Sequence, residues 1–339
     1  MPQVSVIIPI FNTERYLETC LLSVLDQSFS DFEVICVDDL SPDRSREIVE
    51  HLMRGDPRIQ LISLEENRGL GGARNAGLAK AKSNYVAFVD SDDYVDTDML
   101  QRMHVATEDE TFDVVVCGYR TVDQAGRVLA QHIPERRKIS NTREVKDRLL
   151  LGNPSAWNKL WRKSLFLDNK ILFPPKVAWE DLGTIPKLML KAKSINFIDS
   201  ICYSYVNRPG SLSNVASDKH IFDYVRAFDS LKDFLVAEGI YAEEKHNLET
   251  LVRFHFSWYA ERLLAKKNED AALARQYAKY CALVAGAYIV SDDRFRDLDT
   301  EQLIHHIANT AARSVSVPSG PFGGLRNFIS GLGYPWKQV

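Results

Sequence analysis

The feature that most constrains the fold is an apolar run, residues 85–89, that ends abruptly in acids. The segment 90–93 then supplies three carboxylates, and the acidic pair Asp38–Asp39 likewise follows the apolar run 33–37. β-branched and aromatic residues favour strands, and α/β folds bind their ligands outside the carboxyl ends of parallel strands. Two strands that both end in acids therefore predict a charged ligand or a cation at one edge of an α/β sheet.

Strand and helix patterns alternate from residue 1 to about 118, which predicts a mostly parallel central sheet with helices on its faces. The predicted strands are 4–10, 33–37, 59–64, 85–89 and 113–117. A short helix is expected over 73–82. The carboxyl edge of the sheet should then carry segments 9–12, 38–39, 66–74 and 90–93.

Length and composition limit the class of protein. With 339 residues, the chain can hold a catalytic domain and an appendage. It has 42 basic and 46 acidic residues and a net charge of -4, so no overall basic field indicates a nucleic-acid partner. Five scattered cysteines without Cys-x-x-Cys spacing predict buried, reduced thiols. Neither a secretory leader nor an apolar run of about 18 residues is visible, so a cytoplasmic location is expected.

The spacing of Asp90 and Asp92 suits a divalent cation. Side chains two residues apart on a strand or its exit point the same way, so both carboxylates can face one cleft. Crowded carboxylates repel one another, and a cation completed by a diphosphate relieves that repulsion. The alternative is a solvated turn or a helix N-terminus, because aspartate is favoured in both.

A glycine-rich loop, residues 66–77, leads from a predicted strand into a predicted helix. It does not complete a Gly-x-Gly-x-x-Gly fingerprint, because Arg74 occupies the third glycine position counted from Gly69. Its backbone N–H groups, with Arg68 and Arg74 beside them, suit an anionic phosphate. The alternative is that the glycines only permit a tight turn.

Taken in order, segments 4–12, 27–39, 67–77 and 88–93 resemble the successive motifs of the family 2 glycosyltransferases. The resemblance covers about residues 2–120 densely, and order, spacing and strand context all agree. It implies an α/β GT-A fold, which is Rossmann-like with a mostly parallel sheet. It also implies a nucleotide-diphosphate sugar as donor and inversion at the anomeric carbon.

The resemblance also implies a nucleotide site. Asp39 matches the aspartate that accepts a hydrogen bond from the base, and a carboxylate opposite an imide N–H favours uracil and hence a UDP-sugar. Pro9 and Phe11 lie in the loop that packs on the base. Arg74 lies where the family places a cation near the nucleotide, and Asp90 would face the ribose.

By the same resemblance, Asp92 would bind Mn²⁺ or Mg²⁺ together with the diphosphate. Asp93 is either a cap for the following segment or a residue that orients a ligand. The loop 203–213 resembles a mobile loop that closes over the diphosphate. There Arg208 would neutralise phosphate charge, unless it is simply solvated.

On the acceptor side, segment 179–183 resembles the acidic motif of the family, which makes Asp181 the general base and Glu180 its helper. The alternative is that the two acids only occupy a helix N-terminus, where acids are favourable by about 0.3 to 1 kcal/mol. Segment 157–161 resembles one that lies near the donor sugar in these enzymes. Its alternative is a half-buried amphipathic helix.

We therefore expect a GT-A domain over 1–218, with a nucleotide-binding half (1–120) and an acceptor half (121–218). A helical region over 219–313 and a flexible or peripheral tail over 314–339 should follow. An apolar face of the tail is expected either to pack against the protein's own domain or to rest on the inner face of the cytoplasmic membrane or on a partner. Its residues are Phe322, Leu325, Ile329 and Leu332.

The predicted function is transfer of a sugar from a UDP-sugar to a saccharide or lipid-linked saccharide, in the synthesis of bacterial capsule, lipopolysaccharide or exopolysaccharide. Two other classes compete with it. A sugar-phosphate nucleotidyltransferase would need a glycine-rich phosphate loop after the first strand, where this chain has residues 9–15. A non-catalytic carbohydrate-binding protein would have no need of a base such as Asp181.

Overall fold

The structure is a computed structural model that describes residues 1–145, 148–208, 211, 218–266 and 336–337. The predicted apolar face of the tail, and most of the loop that follows Arg208, lie outside these residues. The chain divides into two compact units. One comprises residues 1–209 together with 335–339, and the other comprises 210–334. All the predicted site residues belong to the first unit.

The first unit is built on one sheet of eleven strands with helices around it. The strands are β1 (Val4–Ile10), β2 (Phe32–Asp38), β3 (Ile59–Ser63), β4 (Tyr85–Phe88), β5 (Tyr94–Val95), β6 (Val114–Val122), β7 (Val128–Pro134), β8 (Arg137–Ile139), β9 (Lys159–Arg162), β10 (Ile195–Val206) and β11 (Trp336–Lys337). The helices are α1 (Glu14–Leu25), α2 (Ser45–Met53), α3 (Gly69–Lys80), α4 (Met99–Val105), α5 (Ser164–Asp168) and α6 (Ile185–Lys191).

Four parallel strands in the order β3-β2-β1-β4 form the part of the sheet that carries the predicted site. β1 and β2 are buried along their whole length. Such strands need a continuous apolar run, because helices cover both faces of a parallel sheet. This arrangement confirms the predicted α/β class with a mostly parallel central sheet.

β9 lies antiparallel between β4 and β6 and extends the sheet beyond the parallel strands. The alternative of an amphipathic helix over 157–161 is therefore wrong. Leu160 and Trp161 are fully buried on this central strand. The periodicity of a short apolar run does not distinguish a strand from a helix. The pairing with β4 and β6 makes this segment a strand.

Helix α3 begins at Gly69, four residues before the predicted start. Glycine lowers helix propensity, which hid the first turn from sequence reasoning. Close approach of neighbouring backbone explains the glycines: a Cβ on Gly71 would lie 2.4 Å from the carbonyl oxygen of Pro174. The Lys176 N–H donates to the Arg68 carbonyl at 2.8 Å. The first turn of α3 is thus covered by segment 173–176, so the glycines serve close packing of backbone, a role that neither the phosphate interpretation nor the tight-turn alternative included.

The four cysteines within the described residues are buried and free, as expected for reduced thiols. They are Cys20, Cys36, Cys117 and Cys202. Within the described ranges, none of the helices has both the length and the apolar content that a bilayer crossing requires.

The second unit is helical where it is described. It contains α7 (Asp218–Ala237) and α8 (Tyr241–Lys266). Tyr224 and Phe228 of α7 meet His255 of α8 edge-on, with ring centroids 6.2 and 6.0 Å apart. These rings of α7 and α8 therefore face one another and are buried, whereas Phe222 of α7 is exposed.

The packing of α3 on the sheet yields a stability prediction. A Cβ on Gly77 would lie 2.4 Å from Cγ2 of Ile7 and 3.3 Å from Cγ2 of Val37. Ile7 is fully buried, so Gly77→Ala should overpack the interface and lower the free energy of unfolding by about 1–3 kcal/mol. Denaturant unfolding followed by circular dichroism measures the change.

Gly55→Ala is the control, because its nearest contact would be 3.6 Å, an ordinary van der Waals distance. Gly55 lies after α2, away from the sheet. Equal midpoints for the two variants would contradict close packing of α3 on β1.

Candidate functional site

The carboxyl ends of β1, β2 and β4 meet at one edge of the sheet, as the sequence predicts. Backbone hydrogen bonds continue the ladder past the strand ends. The Asp39 N–H donates to the Ile10 carbonyl at 2.9 Å, and the Val89 N–H donates to the Ile7 carbonyl at 3.1 Å. These bonds place segments 9–12, 38–39 and 89–93 side by side.

Asp39 is held in a fixed orientation. Its side chain accepts a hydrogen bond from the Arg68 N–H at 2.6 Å, and its backbone carbonyl accepts one from Asn67 Nδ2 at 3.0 Å. The residue is only 2% exposed, and burial raises the pKa of its carboxyl, with the Arg68 N–H opposing the shift. Of the two residues predicted to pack on a base, Pro9 is buried within β1, whereas Phe11 is 48% exposed.

The three acids that follow β4 point to three different partners. Asp90 contacts Arg74, Asp92 contacts Arg208, and Asp93 contacts Tyr203. The strand ends before them, so alternation along a strand does not govern their directions. Each acid therefore has a separate environment that its position in the sequence did not reveal.

Asp93 is a buried structural acid. Its carboxylate accepts hydrogen bonds from the Tyr203 hydroxyl at 2.8 Å and from the Val206 N–H at 2.7 Å. It is 2% exposed, and burial, with repulsion from Asp92 and Asp90, raises its pKa. Asp93 thus ties the β4 exit to β10.

Asp92, the predicted metal ligand, is partly exposed and pairs with an arginine. Its side chain is 21% exposed, and Oδ2 accepts a hydrogen bond from Arg208 Nε at 2.7 Å. The Arg208 guanidinium also lies 5.2 Å from the ring centroid of Tyr16. Burial raises the pKa of Asp92, and Arg208 opposes this shift.

A fully buried arginine connects the two acidic regions. Arg74 of α3 bonds Asp90 Oδ1 through one terminal nitrogen at 2.8 Å and Glu180 Oε1 through the other. The exposed fractions of these side chains are 1% for Arg74, 19% for Asp90 and 4% for Glu180. The structure thereby brings Asp90, predicted for the donor side, and Glu180, predicted for the acceptor side, together around one guanidinium.

The pair Glu180–Asp181 lies in the turn that precedes α6, whereas Thr184 stands directly before the helix and the first turn of α6 contains no acid. The alternative that the two acids occupy a helix N-terminus is therefore wrong. The Leu182 N–H donates to Asp181 Oδ1 at 2.8 Å, and Asp181 is half-buried. Burial raises the pKa of Glu180 to about 7, against the lowering effect of Arg74. Burial also raises the pKa of Asp181, and Arg74 again opposes.

Three non-glycine residues with left-handed backbone each adjoin a predicted site residue. They are Asn12 with φ 55°, Leu40 with φ 60° and Trp179 with φ 61°. Such conformations are costly for bulky side chains and cluster where a site over-determines the backbone. Nothing in the sequence marks Leu40 or Trp179 for this conformation, whereas asparagine tolerates it.

Two buried residues near the site, Tyr203 and Lys159, were not predicted from the sequence as site residues. Tyr203 accepts a hydrogen bond from the Asp90 N–H at 3.1 Å besides holding Asp93, and Trp157 stacks on its ring at 4.4 Å between centroids. Lys159 is fully buried; its Nζ donates to oxygens of Asn153, Ser155 and Asn158, and burial lowers its pKa to about 7. The sequence did contain one indication of a buried, hydrogen-bonded lysine, because Lys159 stands among apolar residues in segment 157–161.

Comparison with known proteins places this chain in a family. Residues 5–168 match the sequence model described as Glycosyl transferase family 2. The uncharacterized glycosyltransferase EpsJ of Bacillus subtilis is 33% identical over 231 residues, which span 65% of this chain and 67% of EpsJ. The poly(ribitol-phosphate) beta-glucosyltransferase of Bacillus spizizenii is 32% identical over 219 residues, 63% of this chain and 34% of that protein.

A solved structure agrees with these sequence relatives. The crystal structure of S. aureus TarS 1-349 in complex with UDP-GlcNAc superposes with a TM-score of 0.69 at 26% sequence identity. The match covers 85% of this chain and 82% of the TarS chain. The fold is therefore the GT-A fold expected from the sequence. The chain belongs to the family 2 glycosyltransferases and is a glycosyltransferase enzyme.

Proposed function

We propose that the enzyme transfers a sugar from a UDP-sugar to a saccharide hydroxyl with inversion, by in-line displacement and with Asp181 as general base. The observation that carries the proposal is the meeting of donor-side acids and the acceptor-side pair Glu180–Asp181 around Arg74. A mere sugar-binding protein has no need for an acid pair positioned in this way. The enzyme then serves the synthesis of a bacterial surface polysaccharide.

The donor assignment rests on Asp39 and Phe11. The Asp39 carboxylate is oriented by Arg68 N–H, and an imide N–H such as that of uracil is its natural donor. The exposed ring of Phe11 lies at the neighbouring strand end, where a base can stack on it. The complexes of TarS with UDP-GlcNAc and with UDP support a uridine nucleotide as ligand.

A divalent cation fits the donor set in one particular way. Among the residues that the structure describes, no group of three or more acids, histidines and cysteines forms a cage for a metal. Mg²⁺ commonly uses one or two carboxylates together with substrate phosphates, and Asp92 can supply such a carboxylate once Arg208 turns from it. When bound, Mn²⁺ or Mg²⁺ would stabilise charge on the departing nucleoside diphosphate.

Asp181 suits the role of base better than Glu180. Glu180 is 3% exposed and committed to Arg74, so an acceptor hydroxyl has little access to it. Asp181 is half-buried, and its Oδ1 accepts a hydrogen bond from the Leu182 N–H. The other carboxylate oxygen, Oδ2, does not take part in that bond. Its raised pKa improves proton affinity, as a base near neutral pH requires.

The acceptor is proposed as a polymeric or lipid-linked saccharide. Support comes from the name of the B. spizizenii relative, a poly(ribitol-phosphate) beta-glucosyltransferase, which names a polymer that carries hydroxyl groups. A hydroxyl nucleophile with a carboxylate base is the same chemistry for either kind of acceptor. Pocket hydrogen bonds decide which hydroxyl is selected.

Calorimetric titration tests the donor site. UDP should bind in the presence of Mn²⁺, and Asp92→Asn should weaken that binding at least tenfold, which is about 1.4 kcal/mol, because the cation loses its protein carboxylate. In EDTA the wild type and the variant should bind UDP equally weakly. Exposed Asp31→Asn is the charge-matched control and should leave binding unchanged.

Stronger binding of GDP than of UDP would contradict the uridine assignment. Equal UDP affinity in Mn²⁺ and in EDTA would contradict the proposal that a divalent cation takes part in UDP binding.

Turnover tests the base. Asp181→Asn should lower kcat for UDP release from a UDP-sugar about 10²–10⁴-fold, since proton removal contributes that factor. The Kd for UDP should stay within threefold of wild type. If Glu180→Gln proved more harmful to kcat than Asp181→Asn, Glu180 would be the base.

The pH dependence of kcat/KM follows from the raised pKa of Asp181. A base acts only when deprotonated, so kcat/KM should fall as pH drops through that pKa, which lies above the usual value of about 3.9 for aspartate. Arg74 limits the rise and Asp90 adds to it. A profile that is flat down to about pH 4 would contradict the assignment.

A further inference from the structure

Arg74 lies where the donor side and the acceptor side of the site touch. It projects from α3, which follows β3, towards Asp90 at the exit of β4 and Glu180 before α6. These three elements are far apart in sequence. The guanidinium is thus the one described group that bonds directly to both the donor-side acid Asp90 and the acceptor-side acid Glu180.

The surroundings of Arg74 leave almost no room for a ligand. Its side chain is 1% exposed, and its guanidinium lies 5.3 Å from the ring centroid of Phe173 and 6.0 Å from that of Phe88. Its Nε has no hydrogen-bond partner among the described residues. A nucleotide could contact this side chain only after a rearrangement.

A second contact joins α3 to the acceptor side. Asn75 Nδ2 donates to the Phe173 carbonyl at 2.7 Å, and the Phe173 N–H donates back to Asn75 Oδ1 at 3.0 Å. Two consecutive residues of α3 therefore contact the acceptor half, because Arg74 binds Glu180 and Asn75 binds the backbone of Phe173. Because α3 also packs closely on β1 through Gly77, the helix links the acceptor side rigidly to the sheet.

We infer that Arg74 is a positioning residue that sets the separation between Asp90 and the pair Glu180–Asp181, and that it is not a nucleotide contact. This inference rests on the proposed function. The forked, planar guanidinium can bond two carboxylates in fixed directions, which a lysine ammonium cannot do. Misplacement of a catalytic group by about 1 Å can cost about 100-fold in rate.

The test compares Arg74→Gln, Arg74→Lys and Glu180→Gln by two measurements, calorimetric Kd for UDP with Mn²⁺ and kcat for UDP release from a UDP-sugar. We expect Arg74→Gln to lower kcat at least tenfold while the Kd for UDP and the KM for the donor change less than threefold. Arg74→Lys should keep part of kcat, because it retains the charge but not the fork.

Glu180→Gln keeps the size of the side chain but removes the carboxylate charge that holds the Arg74 guanidinium. It therefore weakens the same link from the other partner and serves as the second variant if Arg74→Gln fails to fold. It should show the same pattern, with kcat lowered and UDP affinity unchanged. The double variant should be no slower than the slower single variant, because both substitutions break one link. Arg46→Gln, an exposed arginine on α2, is the control and should change neither quantity.

A tenfold rise in the Kd for UDP in Arg74→Gln, with kcat kept, would overturn the inference in favour of a nucleotide contact and leave the proposed function standing. Multiplicative losses in the double variant would also overturn it. Absence of UDP binding by the wild type would instead refute the proposed function itself.

Discussion

The site depends on one buried ionic interaction, the bond of Arg74 to Asp90 and Glu180. A buried guanidinium is costly to desolvate unless carboxylates in good geometry compensate it, and the carboxylates need the cation equally. Removal of Arg74 would therefore leave the buried carboxylate of Glu180 without its opposite charge. The same requirement fixes where the β4 exit, α3 and the turn before α6 lie relative to one another.

Around that interaction the site uses groups that the fold already orients. The parallel strands bring Asp39 and the acids after β4 to one edge, and Tyr203 of β10 restrains Asp93 there. Asp90, Asp92 and Asp181 keep some accessible surface, whereas Asp93 and Glu180 are buried. The proposed function would benefit from such a separation of buried acids from accessible ones.

Much of the fold and part of the site were predictable because they follow from local patterns. Continuous apolar runs predicted β1, β2 and β4, and the acids that follow β2 and β4 predicted the edge that the strands share. Helix α3 began earlier than predicted, since its glycines serve contact with segment 173–176, a long-range requirement. β9 could equally have been a helix until its pairing with β4 and β6 was known.

The sequence by itself determined the α/β class, the family resemblance and the set of acids at the sheet edge, because these depend on residue type and spacing along the chain. Tertiary structure alone determined the partner and the environment of each acid. Asp93 is buried against Tyr203, Asp92 faces Arg208, and Asp90 shares Arg74 with Glu180. The partners lie 16 to 116 positions away in the chain. Only folding therefore brings them within hydrogen-bond distance and determines how deeply each carboxylate is buried.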